Sequence, residues 1–212
     1  MDFLLMRANI FFVPFFIALL TSSCVTAPAL PPTTPPASVP PQSSAQQQHM
    51  ASLINIKSFS LKGRIGVVTQ KQGFSGGIQW QHTPSTDNID IFSPLGSKVA
   101  NILKNRDGVT LTNQNGHTIT AQDAESLTET TLGFKLPLTG LSDWALGKPT
   151  DSKIEASSLD DKGRLLSLKQ DGWNISYENY AAQNGIDLPS KIILKSDKVN
   201  LKIVIEQWVS QP

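Results

Sequence analysis

The chain has 212 residues, of which 17% are charged, and 18 lysine and arginine residues against 17 aspartate and glutamate residues give a net charge of +1. This balance provides no electrostatic footprint for a phosphate backbone and argues against nucleic-acid binding. The single cysteine excludes an internal disulfide framework and a thiolate-rich zinc site.

The first segment, residues 1–23, has the features of an export signal. Residues 10–20 form an uncharged apolar run of eleven residues that follows Arg7. A hydrocarbon core needs about twenty residues, so the run predicts a signal peptide rather than a transmembrane helix. Met6, directly before Arg7, is an alternative start to Met1.

The apolar run ends at Cys24, in the context LLTSSC. Ser22 and Ser23 precede the cysteine as in a bacterial lipobox, although Thr21 stands where leucine is usual. The resemblance to a lipobox implies acylation of Cys24, on sulfur and on its new amino terminus after cleavage. A free cysteine in an ordinary signal peptide is the alternative. Val25 follows instead of aspartate, which implies the outer membrane as the destination.

Residues 24–49 predict a flexible tether between the acylated cysteine and a folded domain. No charge occurs between residues 25 and 48, and seven prolines precede a glutamine-rich tract. Such a composition cannot bury enough apolar surface to fold and favours extended polyproline II conformations. A proline-rich ligand of SH3-type domains is the alternative, which an exported location disfavours.

The remaining segment, residues 50–212, alternates apolar and polar residues with a period of two. The alternation begins at Phe59 and predicts about eleven short strands in two meanders, before residue 120 and after residue 153. Five turn signals punctuate the meanders: Asp107-Gly108, Asn115-Gly116, Asp161-Lys162-Gly163, Asp171-Gly172 and Ser196-Asp197-Lys198. The pattern predicts a mainly β domain, whose meanders form either a sandwich or an incomplete antiparallel β-barrel.

Three short helices are predicted to cover the open side of this barrel. The first is expected within residues 50–56. The second follows a capping box formed by Thr120 and Asp123 and stops at Gly133. The third, within residues 140–149, ends at Gly147 and Pro149.

Residues suited to catalysis are sparse in this domain. His82 and His117 stand beside turn residues, away from carboxylates or thiolates at metal-ligand spacing, and no nucleotide-binding or hydrolase motif occurs. Gly76-Gly77, inside a strand pattern, predicts a bend or a bulge. The sequence therefore favours binding or structure over catalysis, with no catalytic residue, metal or cofactor expected.

Ordered motifs along the domain resemble the family of the outer-membrane lipoprotein receptor LolB. They are FSLKGRIGV (59–67), FSGGIQW (74–80), FSPLGSKVA (92–100), TAQDAESL (120–127), LGFKLPLTGLSDWALGKP (132–149) and IVIEQWV (203–209). The resemblance implies an eleven-stranded half-barrel with three helices over an apolar cavity. It also implies a lipid-anchored receptor in the outer membrane, facing the periplasm, that accepts acylated lipoproteins from the carrier LolA. The receptor would insert them into the inner leaflet, among outer-membrane phospholipids, without nucleotide.

The inner face of the barrel is the candidate cavity for the acyl chains of cargo lipoproteins. The residues predicted there are Phe59, Leu61, Ile65, Val67, Ile78, Trp80, Ile89, Ile91, Leu141, Trp144, Leu166, Leu168, Trp173, Ile175, Leu201, Ile203 and Ile205. A slip of one residue in strand register would exchange the two faces. A filled core is the alternative to a cavity.

The segment Pro94-Leu95-Gly96 is the candidate membrane-insertion loop. Leu95 has no alternation partner, and in the family the matching leucine lies on a protruding loop used for membrane insertion. The alternative is that Leu95 folds back as a hydrophobic plug on the sheet edge.

Other functions compete with a lipoprotein receptor. A structural outer-membrane lipoprotein with a packed core would bind another envelope protein. The diffusible carrier LolA shares the general fold, but a shuttle must leave both membranes, which Cys24 and the tether argue against. The domain is expected to be monomeric.

Overall fold

The computed structural model describes residues 43–132 and 138–211, and residues 41–212 belong to one compact unit. The predicted signal peptide, Cys24, most of the predicted tether and Gly133 lie outside the described residues. Among the helices within these ranges, none is long and apolar enough to span a membrane.

One antiparallel sheet contains all eleven strands of the described residues, as the alternation predicted. The strands are β1 (Ser58–Thr69), β2 (Gly73–Thr83), β3 (Thr86–Phe92), β4 (Lys98–Asn105), β5 (Gly108–Asn113), β6 (Thr118–Ala121), β7 (Ile154–Leu159), β8 (Leu165–Gln170), β9 (Trp173–Gln183), β10 (Ile186–Lys195) and β11 (Val199–Gln211). Their spatial order is β6-β5-β4-β3-β2-β1-β11-β10-β9-β8-β7, so pairing of β1 with β11 joins two meanders. The strands β6 and β7 are the two edges, and the barrel is therefore incomplete.

The sheet has two distinct ends because each strand reverses the direction of the one before it. One end carries the turns at residues 70–72, 93–97, 114–117, 171–172 and 196–198, and we call it the Leu95 end. The opposite end carries the turns at residues 84–85, 106–107, 160–164 and 184–185 and receives the chain from the first helix, so we call it the α1 end. All five predicted turn signals lie at connections between strands, with Gly108 as the first residue of β5.

The first helix, α1 (Ser44–Ile54), begins earlier than the predicted helix at residues 50–56. It takes in the glutamine tract that the sequence assigned to the tether. Ser43 caps the helix, since its hydroxyl accepts a hydrogen bond from the backbone N–H of Gln46 at 3.2 Å. Leu53 is fully buried and fixes the helix on the sheet.

Two further helices connect the edges of the sheet. In α2 (Ala124–Leu132), Asp123 is the cap, because its carboxylate accepts from the backbone N–H of Ser126 at 2.7 Å; the predicted cap Thr120 lies in β6. The third helix, α3 (Leu138–Ala145), begins two residues before the predicted range. It ends at Ala145, and the predicted stop Gly147 follows with a φ of 78°, which suits glycine.

A single hydrophobic cluster joins the helices to the concave face of the sheet. It includes Leu53 of α1, Leu127 of α2 and Leu141 of α3, together with the apolar residues of the strands. Trp80 and Trp144 are fully buried within it, and Trp173 and Trp208 are nearly so. The helices therefore bury their apolar stripes on the concave face, where they were expected.

Candidate functional site

Most residues predicted for the inner face are buried. The thirteen buried ones are Phe59, Leu61, Ile78, Trp80, Ile89, Leu141, Trp144, Leu168, Trp173, Ile175, Leu201, Ile203 and Ile205. Three more, Ile65, Val67 and Ile91, are partly buried and pack against the cluster. Whether these residues hold acyl chains stays a prediction.

Leu166 was assigned to the wrong face, since its side chain is 45% exposed. Pairing between β7 and β8 is irregular between Ser158 and Leu159, so simple alternation fails at this point. Leu165 takes the inner position and is buried. The sequence Leu165-Leu166 contains no signal that distinguishes the two residues.

Several buried residues were missing from the predicted inner face, although two of them, Tyr177 and Val199, continue the alternation of Ile175 and Leu201. They are Leu53, Leu138, Leu165, Tyr177, Leu188, Ile192, Leu194, Val199 and Trp208. Three of them, Leu188, Ile192 and Leu194, lie in β10 on one face, although the pairing of β10 with β9 shifts between Pro189 and Ile192.

The burial of inner-face side chains decreases along β1 and β2 toward the Leu95 end. Phe59 and Leu61 are each 3% exposed, whereas Ile65 and Val67 are only partly buried. Phe74, at the start of β2, is 38% exposed although it shares the inward parity of Ile78. The apolar interior is therefore most accessible from the Leu95 end of these two strands.

A buried carboxylate fixes Trp80 in the core. Asp87 Oδ1 accepts a hydrogen bond from Trp80 Nε1 at 3.0 Å and lies 2.6 Å from His82 Nδ1, and Lys104 Nζ lies 3.6 Å from the other oxygen. The His82 ring also stacks on Phe59, with 4.9 Å between centroids. These contacts give His82 a structural role, which sequence spacing did not reveal.

The helix α1 docks on the α1 end of the sheet through a polar cluster. Arg164 Nε lies 2.7 Å from Asp160 Oδ2, Arg164 Nη1 lies 2.9 Å from Asp187 Oδ2, and the guanidinium stands 4.6 Å from the centroid of the Tyr180 ring. Burial alone would raise the pKa of Asp160, but its hydrogen bonds with Arg164 and the charge of Arg164 outweigh this effect and lower it. His49 of α1 meets the edge of the Tyr180 ring.

The loop between β3 and β4 holds Leu95 in solvent. The Gly96 N–H donates to the Ser93 carbonyl at 2.9 Å, and the Ser97 carbonyl accepts from the Ser93 N–H at 2.8 Å. Gly96 has a φ of 89°, which this turn requires and other residues rarely adopt. Leu95 is 95% exposed, so the alternative of a hydrophobic plug is wrong.

An open groove of about 560 Å³ lies at the base of this loop, on strands β1 to β3. Its walls include Arg64, Gln79, Phe92 and Pro94. The predicted bulge at Gly76-Gly77 is absent from the described strands, since β2 pairs with β1 without a register shift there and its pairing with β3 begins at Gly77. Instead, a side chain at Gly76 would collide with the carbonyl oxygen of Phe92, so glycine permits a close approach of the two strands.

Nothing in the described part of the chain forms a cluster of three or more histidine, cysteine, aspartate or glutamate residues that would hold a metal ion.

The single-sheet, half-open barrel is similar in fold to a solved structure. A crystal structure of a LolA superfamily protein from Nitrosomonas europaea matches with a TM-score of 0.51, over 81% of this chain and 94% of that chain, at 11% identity. That likeness shows the fold alone.

Sequence comparison gives the family. The model of the outer membrane lipoprotein LolB matches residues 57–208. The outer-membrane lipoprotein LolB of Nitrosomonas europaea is 38% identical over 163 residues, 76% of each chain, and that of Thiobacillus denitrificans is 35% identical over 155 residues, 73% of this chain and 82% of its own. The chain belongs to the LolB family of outer membrane lipoproteins. It is accordingly an outer-membrane, lipid-anchored protein with a role in lipoprotein localisation.

Proposed function

We propose that the protein is a receptor that accepts acylated lipoproteins from the periplasmic carrier LolA and inserts them into the inner leaflet of the outer membrane without nucleotide. The observation that carries this proposal is the 95% exposure of Leu95 at the tip of a hydrogen-bonded loop. A solvated leucine held out by a turn contributes little to folding. It suits entry into a lipid phase.

The second support is the apolar interior that becomes accessible beside this loop. Burial of each methylene of an acyl chain is worth about 0.8 kcal/mol, so acyl chains that leave a carrier need continuous apolar cover. The inner face provides such a surface, and its exposure near Ile65, Val67 and Phe74 offers an entrance. Acyl chains that enter would displace contacts between the sheet and the helices. A carrier with weaker cover can then transfer cargo downhill without ATP.

The anchor in this proposal is Cys24, which would be acylated on sulfur and, after removal of residues 1–23, on its new amino terminus. Residues 25–43 would then connect the bilayer to the folded domain on the periplasmic side. Neither a catalytic group nor a cofactor takes part in the proposed transfer.

Replacement of Leu95 with glutamate tests the receptor proposal. Full-length acylated protein in vesicles is given LolA loaded with a labelled lipoprotein, and two quantities are measured: loss of cargo from LolA and entry of cargo into the bilayer. We expect Leu95→Glu to accept cargo normally, while entry falls at least about tenfold because a charged carboxylate resists transfer into hydrocarbon. Leu166→Glu is the matched control, because Leu166 is also exposed but lies at the α1 end.

Normal entry of cargo with Leu95→Glu would refute the role of the loop. Retention of cargo on LolA with the unmodified protein would refute the receptor itself.

A structural lipoprotein that binds another envelope protein is the second candidate, and the continuous buried cluster favours it. In that case the interior is a packed core and takes no acyl chain. Photo-crosslinking separates the candidates: lipoproteins with a photoreactive acyl chain label residues near Ile65 and Val67 only in a receptor.

A further inference from the structure

The hairpin β1–β2 lies beside the Leu95 loop at the same end of the sheet. The strand β2 pairs with β1 on one side and with β3 on the other, and both hairpins turn at the Leu95 end. Neighbouring strands are about 4.8 Å apart, so the centres of the two turns are separated by roughly 10 Å. A flat surface that meets one turn can therefore meet both.

This hairpin exposes two large apolar side chains next to its turn. Val68 is 59% exposed and Phe74 is 38% exposed, and the two residues flank the turn on opposite strands. The Phe74 ring lies close to the base of the Leu95 loop. A Cβ atom added at Gly76 would lie 2.8 Å from Phe74 Cζ, and the same atom would collide with the carbonyl oxygen of Phe92, at the base of that loop. Phe74 thus lies between the two hairpins.

The charges at this part of the sheet suit an anionic surface. The neighbouring turns at 69–73 and 93–98 contain Lys71 and Lys98 but no aspartate or glutamate. Two other turns at the Leu95 end contain acidic residues, Asp171 at 171–172 and Asp197 beside Lys198 at 196–198. Lys98 forms an ion pair with Asp90 at 2.9 Å, whereas Lys71 lies at the tip of its turn. Exposed apolar side chains and a lysine in one turn that contains no acidic residue are the features of a surface that binds anionic lipid.

We propose that the β1–β2 hairpin is a second membrane contact, in which Val68 and Phe74 enter the interface beside Leu95 while Lys71 binds anionic phospholipid headgroups. The inference rests on the proposed function, since it assumes that the Leu95 end faces the bilayer. Two hairpins fix the domain at two points rather than one. This contact would direct the accessible part of the inner face at the bilayer, so that an acyl chain leaves the interior directly into lipid.

Site-specific fluorescence tests the contact in the full-length acylated protein. Acylation occupies the Cys24 thiol, so one introduced cysteine carries the environment-sensitive probe in each variant: Val68→Cys, Leu95→Cys or Leu166→Cys. The vesicles contain phosphatidylethanolamine with a minor share of phosphatidylglycerol, and lipids with a spin label in the acyl chain quench the probe. We expect quenching at positions 68 and 95 to exceed that at position 166 by about threefold or more, as for side chains inserted below the headgroups.

The outcomes separate the inference from the proposed function. Quenching at position 95 with none at position 68 overturns the second contact and leaves the receptor proposal intact. Quenching at position 68 with none at position 95 keeps the second contact and rejects the Leu95 loop. Quenching at neither position, or chiefly at position 166, overturns both.

The role of Lys71 has its own readout. With the probe at position 68, Lys71→Glu should lower quenching in anionic vesicles to the level seen with phosphatidylcholine alone, and Lys202→Glu on the exposed face of β11 is the control. Equal quenching in the two Lys variants overturns the headgroup contact.

Discussion

The indole nitrogen of Trp144 lies 3.1 Å from Oε1 of Gln170, and both side chains are fully buried. Gln170 Oε1 also accepts from the Thr150 N–H at 3.0 Å, and its Nε2 donates to the carbonyls of Thr150 at 3.2 Å and Ser152 at 2.8 Å. One carboxamide at the end of β8 therefore holds both α3 and the segment that leads from α3 to β7.

Replacement of Gln170 with leucine is expected to destabilise the fold by about 3 kcal/mol, because several buried polar groups lose their partner at once. Urea denaturation measures the free energy of unfolding, and Gln81→Leu, on the exposed face of β2, is the control. A cost below about 1 kcal/mol for Gln170→Leu would contradict the anchoring role.

Substitution of two glycines distinguishes backbone strain from helix docking. Gly163 and Gly172 have φ values of 76° and 77°, so alanine is strained at both, at a cost of about 1 kcal/mol. A side chain at Gly163 would also collide with the backbone of Gln46 in α1, whereas the space at Gly172 is open. We expect Gly163→Ala to cost clearly more and to accelerate amide hydrogen exchange in α1. Equal costs and unchanged exchange with the two variants would show that α1 does not depend on this contact.

His49 predicts a pH dependence of stability. Burial lowers its pKa in the folded protein, against the opposing influence of Asp187. The unfolded chain therefore binds a proton first as the pH falls below about 6.5, so the free energy of unfolding decreases from there down to the folded pKa. Denaturation at pH 7.5 and pH 5 should show this loss, and His49→Asn should reduce it. An undiminished loss in His49→Asn would assign the dependence to another group.

The strands were predictable because alternation is a local property of the sequence. Phe59 and Leu61, or Ile203 and Ile205, show their inward face without knowledge of the partner strand. Features that depend on distant segments were not predictable. The choice between Leu165 and Leu166 depends on how β8 pairs with β7, and the first turn of α1 packs closely against Gly163, which lies more than a hundred residues further along the chain.

The candidate site likewise has features that local sequence predicts and features that depend on distant segments. The exposure of Leu95 follows from its local turn, and the sequence indicated it. The contacts of Asp87 with Trp80, His82 and Lys104 need three strands in register, and no spacing in the chain reveals them.

The position of α1 sets the distance that the tether must span if Leu95 is to contact the membrane. The chain enters the sheet at the end opposite Leu95, and β1, with 12 residues, separates the two ends by about 40 Å. The 19 residues from the proposed anchor Cys24 to Ser43 reach about 60 Å if fully extended in polyproline II. The tether thus exceeds the length of the sheet by roughly 20 Å. An anchored domain can therefore rotate until its Leu95 end contacts the same bilayer that holds its anchor.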